Sequence, residues 1–565
     1  MNLRKILPKY LAFTGLMILT LAFTGSIQGS SGIFPLAKVK PGLTGYGYTV
    51  FNGTKIDKFT VKVIAVMDSG SRHNRLILVK LGGRLLEQNG GLSAGMSGSP
   101  VYFQGKLAGA VSYGFENADP FLAFITPIET MMNLMKNTAS VKLQPFPYQN
   151  STLKPVPVTT PVLISGMGQR GYELVKQSLQ DCGLTAVYSP AYGGVGNITN
   201  LKAMVRPGSA ISVQLITGDY QAAALGTVTF MDSRKFLAFG HSFTNKGTVN
   251  YLALSAFVYH TVKSPVMSFK LGAPLQPIGR ITEDRTAGIL GELGEAPDLI
   301  SVTASVKDGD RNKNRNCSFA VINNEQAARD LIIFGVTDAI DQTIDRVGGG
   351  TATVSFTIET EEQTLISRQN LFYGKDIAAD CMKDLKKALE LITTNEYAAV
   401  RLKSIRAEVE VNSEQTTARI TGLTCERAKV KPGETLLVKA KLHTYRGIDL
   451  TVPFTVKLPE HYPPGKLNLV IQSGSRNFAD GETGSLKSDS KNEYQNAGSL
   501  TGLLTKFSDS PKNNELVLEY YPPNSPKSQE QNHSRKDEPL KPVKIRSLTG
   551  YFIQGEAQLT LEVEN

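Results

Sequence analysis

At 565 residues the chain is too long for one ordinary hydrophobic core, so two to four domains are expected. With 41% apolar and 20% charged residues its composition is globular, and 52 glycines among short apolar runs point to β architecture. The net charge of +11 is spread without a basic block or interleaved aromatics, which excludes a nucleic-acid-binding footprint and leaves association with an anionic envelope or membrane surface open.

The N-terminal MNLRKILPKY carries Arg4, Lys5 and Lys9, and apolar LAFTGLMILTLAFTG and small-residue SIQGSSG follow. That order predicts a secretory signal peptide over residues 1–31, with an uncleaved membrane anchor as the alternative. No later stretch is apolar for long enough to span a bilayer. The sequence thus places the protein outside the cytoplasm, secreted or anchored through its N-terminal segment. Cys182, Cys317, Cys381 and Cys425 show no CxxC pair and no metal spacing, so three disulfide pairings and free thiols all stay open.

Residues 34–142 read as a first β-barrel-like unit. YGYTVF, FTVKVIAVM and LILVKL are strand signals, and VYFQGKLAGAVSY is a hairpin turning at Gln104-Gly105. Thr126-Pro127-Ile128-Glu129 forms a capping box that starts a short closing helix, IETMMNLMK. The proline-rich stretch 143–161 reads as a linker. A second barrel-like unit spans 162–310, with SAISVQLITGD as a strand and GTVTFMDSRKFLAFGH as a hairpin turning at Asp232-Ser233. In this unit Glu283-Asp284 and Glu292/Glu295 read as solvated turn acids.

The period changes in 311–403, a mixed α/β region. Ile332, Val336, Ile340, Ile344 and Val347 share a helical face that Gly348-Gly349-Gly350 ends. TATVSFTIET alternates as a strand, and Asp376 caps a second helix with Ile377, Leu385, Leu389 and Ile392 as its stripe. Residues 404–473 are β-rich with KPGE and PPG turns, the pattern of a small sandwich-like module. Residues 474–565 alternate polar, low-complexity segments with a few ordered strands.

The chemistry centres on GMSGSP at residues 95–100. A nucleophilic serine needs a tight turn, backbone N–H groups aimed at the developing oxyanion, and a base within reach. Gly95 supplies the turn, the N–H groups of Gly95 and Ser97 are the candidate oxyanion hole, and Gly98 leaves room for a substrate carbonyl. On spacing alone a Gly-Ser-Pro turn is more often only a turn. No carboxylate pair suggests glycosidase chemistry, and Gly348–Gly350 lacks the lysine of a phosphate-binding loop.

GMSGSPVYFQGKLAGAVSYGF resembles the nucleophile segment of chymotrypsin-like serine proteases, whose motif has an acid where Met96 stands. It is more similar still to the SpoIVB peptidase family. GTVTFMDSRKFLAFGHSF, ending in Gly240-His241, resembles the segment that carries that family's histidine. The resemblance implies a mainly β fold with two chymotrypsin-like barrels, Ser97 as nucleophile, His241 as general base and no metal or organic cofactor. It also implies protein or peptide substrates and a restricted role, cleaving few envelope proteins and itself among them.

Two departures stand out. In the family's sporulation members the histidine precedes the serine, whereas here Ser97 comes first; geometry and not chain order defines such sites. The family's acid falls where this chain has Gly82. Asp68, Asp232 and Asn74 are the remaining candidates for a third member, on proximity alone, and His73 is a distant alternative base. An exported serine endopeptidase is thus the leading expectation, and a non-catalytic, protease-like scaffold that binds peptides is the competing one.

Overall fold

The computed structural model describes residues 32–68, 75–136, 155–158, 161–189, 204–475, 497–520 and 542–564. The signal-peptide segment, His73, Asn74 and much of the two polar C-terminal stretches lie outside the described residues.

The first unit is a closed barrel. In chain order it contains β1 (Thr44–Val50), β2 (Ile56–Asp68), β3 (Arg75–Gly82), a short helix α1 (Arg84–Gln88), β4 (Ser93–Ala94), β5 (Pro100–Phe103), β6 (Lys106–Phe115) and β7 (Leu122–Pro127). The antiparallel ring runs β5-β1-β2-β3-β7-β6 and closes through β6 on β5. Alternation fills its interior with Phe59, Val61, Val63, Ile77, Val79 and Leu81. Met96, standing where the protease motif has an acid, belongs to that same core. The β5–β6 turn places Gln104 and Gly105 both at positive φ, as the predicted hairpin requires.

Two local expectations change here. Helix α2 (Ile128–Met132) forms where predicted and continues as a 3-10 turn to Lys136, but Thr126 does not cap it. Its hydroxyl donates instead to the Gly240 carbonyl, 2.7 Å away, because it lies on a strand facing the second unit. Part of the stretch read as a linker is also structured: β8 (Pro155–Pro157) adds to β6, with Tyr113 opposite Pro157 and Gly114 opposite Val156. Prolines are tolerated there because an edge strand needs ladder bonds on one side only.

The second unit closes as well. It begins with β9 (Val162–Ser165), α3 (Gln169–Asp181) and β10 (Ala186–Tyr188), a parallel βαβ unit on the outside. The barrel itself is built from β11 (Ala210–Gly218), β12 (Gln221–Asp232), β13 (Lys235–Ala238), β14 (Gly247–Val262), β15 (Ser268–Arg285) and β16 (Gly288–Leu293). Its antiparallel ring runs β11-β12-β13-β16-β15-β14 and back to β11. The architecture is therefore mainly β with two six-stranded barrels, the arrangement that the chymotrypsin-like resemblance implies.

Beyond the barrels, β17 (Leu299–Asp308) and β18 (Lys313–Ile322) extend the sheet from β11, and α4 (Glu325–Ile344) packs on them. Asn324 caps α4, and Asp345 ends it at φ 51, a left-handed position that Asp tolerates. The helix thus stops before the glycines, leaving Val347 73% exposed rather than on the apolar stripe. Strands β19 (Gly350–Thr360) and β20 (Leu365–Gly374) follow. The Asp376-capped helix breaks at Cys381 into α5 (Ile377–Asp380) and α6 (Lys383–Thr393), and its predicted stripe is buried.

Strand β21 (Leu402–Asn412) pairs with β17 and β19, so residues 404–412 belong to this sheet and not to the sandwich. Its inward residues Ile405, Ala407, Val409 and Val411 share the core of α4 and α6. The sandwich proper starts with β22 (Thr417–Cys425), β23 (Lys429–Val430), β24 (Thr435–Thr444), β25 (Asp449–Lys457) and β26 (Gly465–Ser473). After α7 (Leu500–Ser508) it is completed by β27 (Glu515–Tyr520), β28 (Val543–Leu548), β29 (Phe552–Gln554) and β30 (Glu556–Val563). Its sheets, β25-β24-β22-β29 and β23-β30-β26-β27-β28, enclose one core that includes Leu516, Ile553 and Leu561. All four cysteines are free thiols, and among the described residues no helix is long and apolar enough to cross a membrane.

Candidate active site

The GMSGSP loop is held between the two barrels. Strand β4, just before it, pairs in parallel with β15 of the second barrel, Ser93 opposite Ser268 and Ala94 opposite Phe269. Gly95 (φ 94) and Gly98 (φ 88) then turn the chain in conformations that favour glycine. The Ser97 carbonyl accepts from Thr227 N–H at 2.8 Å, and the Thr227 and Thr229 hydroxyls donate to the carbonyls of Gly95 (2.9 Å) and Gly98 (2.7 Å). On the opposite side Gly98 N–H donates to the Val111 carbonyl of β6 at 2.8 Å.

A buried lysine completes the clamp. Lys270 Nζ on β15 donates to the Gly95 carbonyl at 3.0 Å and to Thr49 Oγ1 on β1 at 2.8 Å. Burial pulls its pKa down to about 7. A lone Lys in the run SFKLGAPL carried no signal of this, because the contacts come from two other elements of the fold.

His241 reaches the same seam from the second barrel. The β12–β13 hairpin turns where predicted and leads into Phe239 (φ 68) and Gly240 (φ 71). A bulky residue at positive φ is strained, and here it sits two residues before the candidate base. The imidazole lies beside Phe239 and Tyr113, with ring centroids 5.8 Å and 6.0 Å away. Its Nδ1 is 2.7 Å from the Ser242 carbonyl. A carbonyl only accepts, so Nδ1 carries the proton and Nε2 presents its lone pair.

Ser97 and His241 are both 0% exposed, and neither Ser97 Oγ nor His241 Nε2 makes a hydrogen bond. Burial lowers the His241 pKa to about 4, so the ring is neutral at pH 7. The candidate oxyanion donor Gly95 is engaged: its N–H points at the Val158 carbonyl, 3.4 Å away, directly after β8.

No carboxylate takes the third place among the described residues of the loop and hairpin. Asp232 is exposed at the hairpin turn, at the far end of β13 from His241, with roughly 10 Å of strand between them at 3.3 Å per residue. Asp68 ends β2 opposite Arg75, and its side chain lies outside the described residues. Gly82 ends β3 opposite Thr60, and a Cβ there would lie 3.1 Å from Thr60 Oγ1.

The acid that holds the histidine segment is Asp284, whose sequence context reads as a solvated turn. It is fully buried. Its carboxylate accepts from the backbone N–H groups of Phe243 (2.7 Å), Thr244 (2.6 Å) and Asn245 (2.9 Å), and from the Thr244 hydroxyl (2.7 Å). Burial raises its pKa, and these four donors oppose the rise. Asp284 acts on the loop behind His241 and not on the ring. Asp284→Asn is therefore expected to lower any kcat by about 10²-fold through misplacement of the candidate base, with KM little changed. A KM-dominated loss in steady-state kinetics would contradict that positioning role.

The His241 burial also has a pH signature. Its folded pKa lies below the usual 6.5, so the unfolded chain binds a proton first as pH falls. The stability contribution is complete above pH 6.5 and is lost as pH falls toward 4, on the order of 3 kcal/mol. Denaturant midpoints at pH 7 and 4.5 should diverge more for wild type than for His241→Asn. Equal divergence would mean that the imidazole is not buried in neutral form.

Residues 28–132 match the family model of SpoIVB peptidase S55, covering the first barrel and the Ser97 loop and ending before the His241 hairpin. No curated protein and no solved structure matches the chain. The match supports a serine peptidase with protein substrates in general terms. The first barrel and its GMSGSP loop are thus similar to the SpoIVB peptidase S55 family, as the motif implied.

Proposed function

We propose that this protein is an exported serine endopeptidase that works through a Ser97–His241 dyad. The observation that carries the reading is the meeting of the GMSGSP loop and the Phe239–His241 turn at the seam between two barrels, where a Cβ on Gly98 would lie 2.5 Å from Phe239 N, with Nε2 left free by the Nδ1–Ser242 bond. Ser97 Oγ attacks the scissile carbonyl while His241 Nε2 accepts the hydroxyl proton. The proton then passes to the leaving amine, and water, deprotonated by the same nitrogen, releases the acyl group from Ser97. The N–H groups of Gly95 and Ser97 would face the oxyanion.

The Ser242 carbonyl takes the orienting role of the missing acid. It holds the tautomer but carries no negative charge to stabilise the imidazolium. Removing the carboxylate from a known triad costs about 10⁴ in kcat, so a slow enzyme follows. The N-terminal sequence supports export, and envelope or secreted proteins are the substrates that location provides.

The test is hydrolysis of a quenched-fluorescent unfolded protein by the purified chain and by Ser97→Ala and His241→Ala. Activity lost in both variants supports the peptidase. The closed seam and Gly82 favour the alternative, a protease-like scaffold that binds peptides without cutting them. That reading wins if wild type cleaves nothing or if the variants cleave as wild type does.

A further inference from the structure

We infer that Pro155–Val158 occupies this chain's own substrate groove, as the acyl-side half of a peptide substrate, and keeps the site closed. The inference rests on the peptidase reading above. A substrate of such an enzyme adds to a sheet edge as an extended strand and places its reacting carbonyl oxygen against the oxyanion N–H groups. Residues 155–158 add to an edge in this way and bring a carbonyl oxygen to one of those N–H groups, that of Gly95. β8 lies antiparallel to β6, the Val158 N–H donates to the Ser112 carbonyl at 2.8 Å, and the Val158 carbonyl oxygen lies 3.4 Å from Gly95 N.

The register fits a bound peptide residue by residue. Val158 turns its backbone groups toward β6 and Gly95, so by strand alternation Val156 does the same opposite Gly114. Pro155 and Pro157 fall at the alternate positions, where a missing N–H costs no ladder bond. The Val158 side chain is fully buried in the same apolar core as Leu92, Ala94 and Met96. Gly114 leaves room beneath it: a Cβ there would lie 3.7 Å from Val158 Cγ2 and 2.5 Å from Leu92 Cδ2.

Two consequences follow. On this reading the segment is what keeps Ser97 and His241, both 0% exposed, from solvent, and access to the site requires Pro155–Val158 to leave. The groove it fills also defines the substrate class: an extended apolar peptide with a small β-branched residue at the reacting carbonyl, preceded by proline.

Fluorophosphonate labelling of Ser97 in the full chain tests this, using wild type, Val158→Asp and Val156→Asp. Val156 is half-buried outside the barrel core, so its variant keeps the test valid if Val158→Asp fails to fold. A buried charge in the segment should unseat it and speed labelling about 10-fold or more, as the competent fraction rises. Added Pro-Val-Pro-Val peptide should then slow labelling of Val156→Asp, and Pro-Asp-Pro-Asp should not. Equal rates in wild type and a folded variant, or no effect of the valine peptide, overturn the inference and leave the peptidase reading standing. No labelling of Ser97 in any variant overturns both.

Discussion

Gly98→Ala is expected to destroy the site and to destabilise the junction of the barrels by on the order of 3 kcal/mol, combining left-handed strain with overpacking. Gly98 adopts φ +88, and an added Cβ would fall 1.9 Å from the Thr227 carbonyl oxygen and 2.5 Å from Phe239 N. Both are backbone atoms of the second barrel, so neither can swing aside as a side chain would. Relief requires the nucleophile loop to lift from β12, which breaks the bonds from Thr227 N–H to Ser97 and from Thr229 to Gly98. Gly105→Ala is the matched control: φ is +76 there, but nothing lies within 4 Å of the new Cβ. The control should lose only about 1 kcal/mol and keep its activity. Similar denaturant midpoints for the two variants would show that the loop is not wedged between the barrels.

Arg368→Met is expected to cost about 3–5 kcal/mol, because it strands a buried carboxylate. The Arg368 and Asp384 side chains are 0% and 2% exposed, with Nε 2.5 Å from Oδ2. The remaining guanidinium donors reach the carbonyls of Phe507 (3.3 Å), Ser508 (3.3 Å), Ser510 (3.0 Å) and Pro511 (3.1 Å). Asn370 adds a bond to Asp384 at 2.8 Å and accepts from Asn513 N–H at 2.8 Å. This network seats the end of α7 and the start of β27, and so ties the sandwich to the α/β layer. Limited proteolysis should open the chain near 507–513 in Arg368→Met. Arg368→Met with Asp384→Leu should recover much of the loss, since replacing both ions by apolar groups removes the stranded charge. Unchanged unfolding in the single variant would contradict the hub.

What was legible in the sequence was what local chemistry dictates. Glycine and asparagine-like turn signals located both hairpins, period 3.6 located α4 and α6, and Asp376 announced its own cap. The GMSGSP loop and the Gly-His turn were legible because each is a short strand-turn unit with its own residue requirements. The rest depends on partners far away in the chain. Thr126 reads as a helix cap until Gly240, 114 residues later, takes its hydroxyl. Asp284 reads as a turn acid until a run of three N–H groups, 39 to 41 residues earlier, converges on it. Pro155 and Pro157 read as a linker because proline weakens every strand signal, yet an edge position removes that objection. β21 resembles the sandwich strands in pattern, and only its pairing with β17 and β19 assigns it elsewhere.

Whether Ser97 is a nucleophile activated by His241 is read most directly by locating a fluorophosphonate adduct by mass spectrometry after prolonged incubation of the full chain. An adduct on Ser97 is expected in wild type, with none in Ser97→Ala and strongly slowed labelling in His241→Ala. An unlabelled Ser97 in folded wild type, or wild-type labelling rates in His241→Ala, would contradict it.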